Sequence, residues 1–169
     1  MNIGFLGLGK LGLPVALAIE DKGHNVIGYD INPNVEKIFT NKKLPYKEKG
    51  ASELLIKSNI EFQSIENLVK NSDLIFVPIQ TPHEERFEGI TRIPNERKDF
   101  NYEYLKNGIR NLSEVIEKQD KDKTVIIIST VLPGTIKREI KPLLGKKTKL
   151  CYNPFFIAMG TTIDDFLNS

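Results

Sequence analysis

Apolar residues along this chain keep two rhythms that alternate almost from end to end. Short, nearly continuous apolar runs over Asn2–Leu6, Asn25–Tyr29, Ile60–Gln63, Leu74–Pro78, Thr124–Ser129 and Lys149–Tyr152 predict strands. Between them, apolar residues recur at helical spacing over Leu11–Lys22, Pro33–Thr40, Ala51–Lys57, Ile65–Lys70, Tyr102–Lys118 and Ile136–Leu144. Val125–Ile128 is apolar throughout, the pattern of a strand covered on both faces. Strands that alternate with helices in this way pair in parallel, joined by right-handed crossovers. About six of them predict an α/β fold, a doubly wound parallel sheet with helices on both faces. In the longest helix, Tyr102, Leu105, Ile109 and Leu112 share one face, and Asn101 is a candidate cap.

Two segments interrupt the rhythm. Residues 41–50, NKKLPYKEKG, form a polar connection inside the second crossover, and residues 80–98 carry two prolines and eight charged side chains. A connection as long as the second is usually functional or mobile. Neither reads as a linker, so residues 1–169 are expected to form a single domain.

Composition removes several classes of function. Hydrophobic content of 40% with 27% charged residues is that of a globular chain. A net charge of only +2, with the basic residues dispersed, gives no electrostatic case for nucleic acid or a membrane surface. The opening residues read as a strand rather than a basic segment followed by a long apolar one, so no signal peptide is expected. One cysteine, Cys151, rules out a disulfide within the chain, and a cytoplasmic setting is expected.

The most informative stretch joins the first strand to the first helix. Gly7, Gly9 and Gly12 are spaced G-x-G-x-x-G, the helix pattern starts at once, and Asp30 closes the next strand, 23 positions after Gly7. That constellation is the dinucleotide fingerprint. Gly7 would make the tight turn, Gly9 would let a pyrophosphate approach the backbone, and Gly12 would let helix and sheet pack closely. The N–H groups of the helix start, around Lys10 and Leu11, would supply an anion site; the Lys10 side chain reads as a solvated helix-end lysine that could also help neutralise a phosphate. Asp30 would accept the hydroxyls of the adenosine ribose. Ile31, Asn32, Pro33 and Asn34 follow it without a cation before Lys37, which favours NAD over NADP.

Further segments give the chain a resemblance to a known family. GFLGLGKLGLPVALAIEDKGHNVIGYDIN, then Pro45 and Glu48 in LPYKEKG, FVPIQTP, STVLPGT and YNPFFIAMGTTIDDFLN occur in order across essentially the whole chain. Together they resemble the amino-terminal, NAD-binding domain of the UDP-glucose/GDP-mannose dehydrogenases, a Rossmann-type fold. The resemblance implies oxidation of a nucleotide sugar's C6 alcohol to a carboxylate with NAD, in the complete enzyme, through a cysteine-bound intermediate. It implies that Thr81 lies near the cofactor, and that Thr130 lies near the nicotinamide and a catalytic water.

The chain also departs from that family. The family commonly reads N-P-E-F near the end of this domain, where its glutamate serves as a base or holds water; here Phe155 stands in its place, in Asn153-Pro154-Phe155-Phe156. The resemblance puts the catalytic cysteine and the substrate domain beyond Ser169. A nucleotide sugar would then be a ligand only together with a second domain, supplied as a carboxyl-terminal half or within a homo-oligomer. Cys151, in the last apolar strand, reads as a small buried residue rather than a substitute nucleophile. His83 with Glu84, Glu85 and Glu88 reads as a solvated charged loop, so no metal site is expected, and His24 reads as a turn residue. Two other readings remain: a stand-alone NAD-binding module without catalysis, and a β-hydroxyacid dehydrogenase domain, whose usual arginine after the second strand is missing.

Overall fold

A computed structural model describes residues 1–90 and 92–168; Thr91 and Ser169 lie outside the described residues. Six parallel strands form one sheet: β1 (Asn2–Leu6), β2 (Asn25–Tyr29), β3 (Glu61–Phe62), β4 (Leu74–Val77), β5 (Lys123–Ile127) and β6 (Thr148–Tyr152). Their spatial order is β3-β2-β1-β4-β5-β6. The chain winds outward from β1 to β3, then crosses back to lay β4 against the other side of β1, with Phe5 opposite Phe76. The loops leaving β1 and β4 therefore diverge, and a crevice opens between them at the carboxyl edge of the sheet. The doubly wound reading holds.

Helices cover both faces. On one lie α1 (Gly12–Asp21), α2 (Pro33–Asn41), α3 (Ala51–Lys57) and α6 (Thr162–Asn168), sharing a core with Ile3, Phe5 and Val26. On the other lie α4 (Ile65–Asn71) and α5 (Glu103–Gln119), packed on Ile27, Ile75, Val77, Val125 and Ile127. Every residue of α1 from Gly12 to Ile19 is buried, because the helix is enclosed between the sheet and α3 and α6. An apolar stripe would not suffice there, and the sequence supplies apolar residues all round.

Local chemistry sets the helix ends. Asn32 accepts the Asn34 N–H at 3.0 Å and Pro33 opens α2, while Ser64 accepts the Asn67 N–H at 3.3 Å at the start of α4. Asn101, the candidate cap, accepts the Glu103 N–H at 3.0 Å. The Leu105, Ile109 and Leu112 face of α5 is buried as its spacing predicts.

Four expectations need correction. The helix expected over Ile136–Leu144 is instead a π-type turn, Ile136–Ile140, followed by a 3-10 turn, Lys141–Leu143. Pro142 has no N–H to donate to Arg138, so regular α-helical bonding stops there. Cys151 is exposed, not buried, because β6 is an edge strand and its side of the sheet is open at that position. Ile126 is likewise only half-buried, so β5 is not fully covered on both faces. Finally, α6 was not anticipated as a helix. Its signal was the threonine pair followed by two aspartates: Asp165 accepts from the Thr161 hydroxyl and the Ala158 N–H, both at 2.9 Å.

Phe155 belongs to this core. Its ring lies 6.4 Å from that of Phe76 and 5.0 Å from that of Phe166, and Phe76 in turn stacks on Phe5 at 5.2 Å. Replacing Phe155 by alanine breaks this ladder and should cost about 3 kcal/mol, measured by denaturant unfolding. A loss under about 0.5 kcal/mol would show that the loop after β6 does not depend on the ring.

Candidate functional site: the carboxyl edge of the sheet

Five residues separate β1 from α1, and three of the positions around the turn are glycines. Gly7 has φ +107°, a conformation other residues adopt only under strain. Gly12 is held by close approach: a Cβ there would lie 2.5 Å from the Gly7 carbonyl oxygen and 2.7 Å from Pro78 Cγ. Gly9 is constrained by nothing in the protein, since a Cβ there would meet no atom within 4 Å. Its surroundings are open space, the room a ligand lying against the backbone would need.

The start of α1 is uncapped. Leu11 holds the cap position without any side-chain acceptor, and the Lys10, Leu11 and Gly12 N–H groups find no acceptor among the described residues. A ten-residue helix with free N–H groups at its start favours an anion there.

Asp30 is tied into the same turn from the side. One of its oxygens accepts the Leu8 N–H at 2.8 Å and the other accepts the Asn32 N–H at 2.8 Å. Each oxygen keeps a further lone pair, and the residue is only half-buried, so the carboxylate can still accept from outside the chain. Lys37, the first cation after Asp30, is drawn to Asn34 Oδ1 at 3.1 Å.

The end of β4 packs against the glycine turn through Pro78 and Ile79. Two residues on, the Thr81 hydroxyl donates to the Thr130 carbonyl oxygen at 2.6 Å and so joins the loops after β4 and β5. The Thr130 side chain itself is exposed. All the residues singled out from the sequence (Gly7, Gly9, Lys10, Leu11, Gly12, Asp30, Thr81 and Thr130) thus lie along one edge of the sheet.

Sequence reasoning passed over a network behind Thr130. The Tyr102 hydroxyl donates to Asp99 and accepts from the Leu132 N–H at 3.2 Å and the Thr135 hydroxyl at 3.3 Å. Burial first, and Asp99 second, push the Tyr102 phenol above its ordinary value, so it remains a donor. Arg138 pairs with Asp99 at 3.1 Å. These contacts hold the loop that carries Thr130. The Asp99 and Tyr102 positions offered no sequence signal beyond an apolar helix face.

Four of the charged side chains in the loop over 80–98 pair with one another: Glu84 meets Arg86 and Lys98, and Arg86 meets Glu96. These pairs are solvent-exposed and hold little stability. His83 sits against the Glu84 carbonyl, and among the described residues no three His, Cys, Asp or Glu side chains gather as metal ligands would. A cavity of about 600 Å³ opens at the opposite, amino-terminal edge, lined by Asn2, Asn25, Asp73 and Lys123. There the Lys123 ammonium caps the end of α4 by donating to the Ser72 carbonyl, which accounts for its burial structurally.

The geometry at the carboxyl edge is that of a dinucleotide-binding α/β domain, and comparison with known proteins makes the class specific. The family model for the UDP-glucose/GDP-mannose dehydrogenase family, NAD binding domain, matches residues 1–169. The chain belongs to that family. It is 27% identical over 98% of its length to GDP-mannose 6-dehydrogenase of Pseudomonas syringae pv. tomato, and 32% identical over 99% to UDP-glucose 6-dehydrogenase of Rickettsia typhi. Among solved structures, it superposes on a ternary complex of GDP-mannose dehydrogenase from Pseudomonas aeruginosa with a TM-score of 0.84, at 26% identity, over 98% of this chain and 38% of that one. The chain spans less than two fifths of these relatives, 38% and 37% of the two 6-dehydrogenases.

Two substitutions separate backbone space from ligand space at the turn. Gly12→Ala should destabilise the fold by roughly 1–3 kcal/mol, because its new methyl meets a carbonyl oxygen and a proline ring. Gly9→Ala should leave the melting temperature within about 2 °C of the parent. Thermal unfolding of both variants checks this, and equal destabilisation would contradict the open space at Gly9.

Proposed function

We propose that this chain is the NAD-binding part of a nucleotide-sugar 6-dehydrogenase, acting together with substrate-binding machinery on a second domain. The observation that carries this reading is the joint made by Asp30, Leu8 and the glycine turn. It presents a carboxylate, open backbone at Gly9 and free N–H groups of α1 side by side. In this reading the N–H groups of Lys10, Leu11 and Gly12 hold the pyrophosphate, with the Lys10 ammonium adding charge. Asp30 accepts the adenosine ribose hydroxyls, and Thr81 and Thr130 border the nicotinamide. NAD, when bound, supplies the hydride acceptor for oxidation of a sugar C6 alcohol.

Asp30 also sets the choice of cofactor. A 2′-phosphate would meet a carboxylate already fixed by two N–H donors, with Lys37 engaged elsewhere, so repulsion is not relieved. The nucleotide sugar is bound by parts that the relatives carry outside the region matched here, either on a carboxyl-terminal half or across a homo-oligomer. No described helix is long and apolar enough to cross a membrane, and a cytoplasmic setting suits a nucleotide-sugar substrate.

Phe155 fits a packing role better than a chemical one. Its ring lies against Phe76 and Phe166, and a phenyl group can neither take a proton nor hold water by hydrogen bonding.

Calorimetric titration tests the cofactor assignment. NAD should bind at least about tenfold more tightly than NADP, and Asp30→Ala should narrow the gap mainly by weakening NAD. Equal affinity of the parent chain for both would remove Asp30 from the site. Incubated with NAD and a panel of UDP- and GDP-sugars, the chain alone should reduce no cofactor, because positioning of the alcohol comes from elsewhere. Turnover in a preparation free of other dehydrogenases would contradict the division of labour, and activity on adding a separate carboxyl-terminal half would support it.

A further inference from the structure

Glu48 takes no part in the cofactor contacts above, yet among the described residues it is the one carboxylate less than a tenth exposed. A buried charge is tolerated only when its hydrogen bonds are made. Glu48 makes three: Oε1 accepts the Thr162 N–H at 2.7 Å, and Oε2 accepts the Gly160 N–H at 2.9 Å and the Thr162 hydroxyl at 3.1 Å. The Lys49 N–H adds a bond to the Gly160 carbonyl at 2.9 Å. Outside this, the Lys49 ammonium pairs with Asp164 at 2.6 Å in solvent. One side chain in the connection between α2 and α3 thereby pins the turn that leads into α6, more than a hundred residues later in the chain.

The pinned turn faces the glycine turn. A cavity of about 150 Å³ lies between them, walled by Lys10, Tyr46, Lys47, Glu48, Met159 and Gly160. Lys10 is the residue between the second and third glycines, so this space adjoins the uncapped start of α1. Both exposed cations in the wall are lysines, and the charge of Glu48 is spent on its own three donors. Tyr46 stays protonated: burial, aided by Glu48, pushes its phenol up to about 12. Its hydroxyl has no partner among the described residues. The cavity is small, lined by polar and apolar groups alike and positive at the rim, with room for one phosphoryl-sized group rather than a whole nucleotide.

We propose that Glu48 is a positioning residue for dinucleotide binding: by clamping the turn around Gly160 opposite Lys10, it builds the second wall of a cradle for the phosphoryl groups. The first wall is the glycine turn, which the fold makes from local sequence. The second is assembled only when two distant segments are joined, and the Glu48 carboxylate joins them. This rests on the assignment of NAD to the carboxyl edge, and the experiment below keeps the two apart.

Glu48→Gln is the informative variant. Its amide oxygen can still accept the Thr162 N–H, but its NH₂ group would face the Gly160 N–H, so donor opposes donor and the turn is released. Calorimetric titrations of parent and variant would use AMP, ADP-ribose and NAD, with circular dichroism and melting curves as controls. The variant should bind ADP-ribose and NAD about tenfold more weakly, the loss of one charge-assisted hydrogen bond, and AMP within about twofold of the parent. Amide hydrogen exchange over 158–162 should quicken in the variant, and NAD should slow it in the parent only. Unchanged affinity for all three ligands, or an equal loss for AMP, would overturn the proposal in favour of a purely structural cap. A parent chain that binds none of the three would instead overturn the cofactor assignment beneath it. If Glu48→Gln does not fold, Thr162→Val removes one of the three bonds. A smaller loss with the same ligand ranking is then expected, and no loss or a uniform one overturns the clamp.

Discussion

The carboxyl edge of this sheet is organised by how little chain separates β1 from α1. With five residues to reverse direction, α1 must begin with Gly12 against the carbonyl of Gly7, where no side chain fits. The cap position falls on Leu11, whose side chain has no acceptor, so the first N–H groups of the helix stay free. It also turns the Leu8 N–H toward Asp30, locking the end of β2 to the turn. Pro78 and Ile79 lie against the same turn, so β4 ends beside it, and the Thr81 hydroxyl carries the connection on to the β5 loop. The crevice of the doubly wound sheet is therefore a set of contacts that follow from one tight connection.

Most of that was legible in the sequence because it is local. The glycine spacing, the apolar strand before it, the apolar helix after it and the acidic end of β2 all lie within thirty residues. The alternation of elements gave the parallel sheet for the same reason. What stayed hidden depended on the far end of the chain. Cys151 reads as a core residue in an apolar strand, and only the strand order shows that β6 is an edge. The π-type turn over Ile136–Ile140 follows from Pro142, a breaker that an amphipathic pattern conceals. Glu48 stands out in the sequence only through the family resemblance of LPYKEKG, and its partnership with Gly160 and Thr162, more than a hundred residues away, has no local signal.

Phe155 shows how packing and chemistry compete at one position. A carboxylate there would have to displace a ring held by Phe76 and Phe166, next to the stacked pair of Phe5 and Phe76. Hydrocarbon on that scale holds the loop after β6 against the sheet, and the same loop runs on to the turn that Glu48 grips. The neighbouring Phe156 and Met159 are largely exposed, at 91% and 64%. One aromatic side chain, Phe155, anchors the loop, while Phe156 stays in solvent. In this chain the position serves packing, holding the loop after β6 to the core.

The central claim is that a dinucleotide lies on the glycine turn and the start of α1. Backbone amide chemical shifts followed by NMR during an NAD titration test it directly. The account predicts saturable shifts at Gly9, Lys10, Leu11 and Gly12, with smaller ones at Asn32 and Thr130, and none at Asn2, Asp73 or Lys123 around the cavity on the opposite edge. Shifts confined to that opposite edge, or no shift at the glycine turn at saturating NAD, would contradict it.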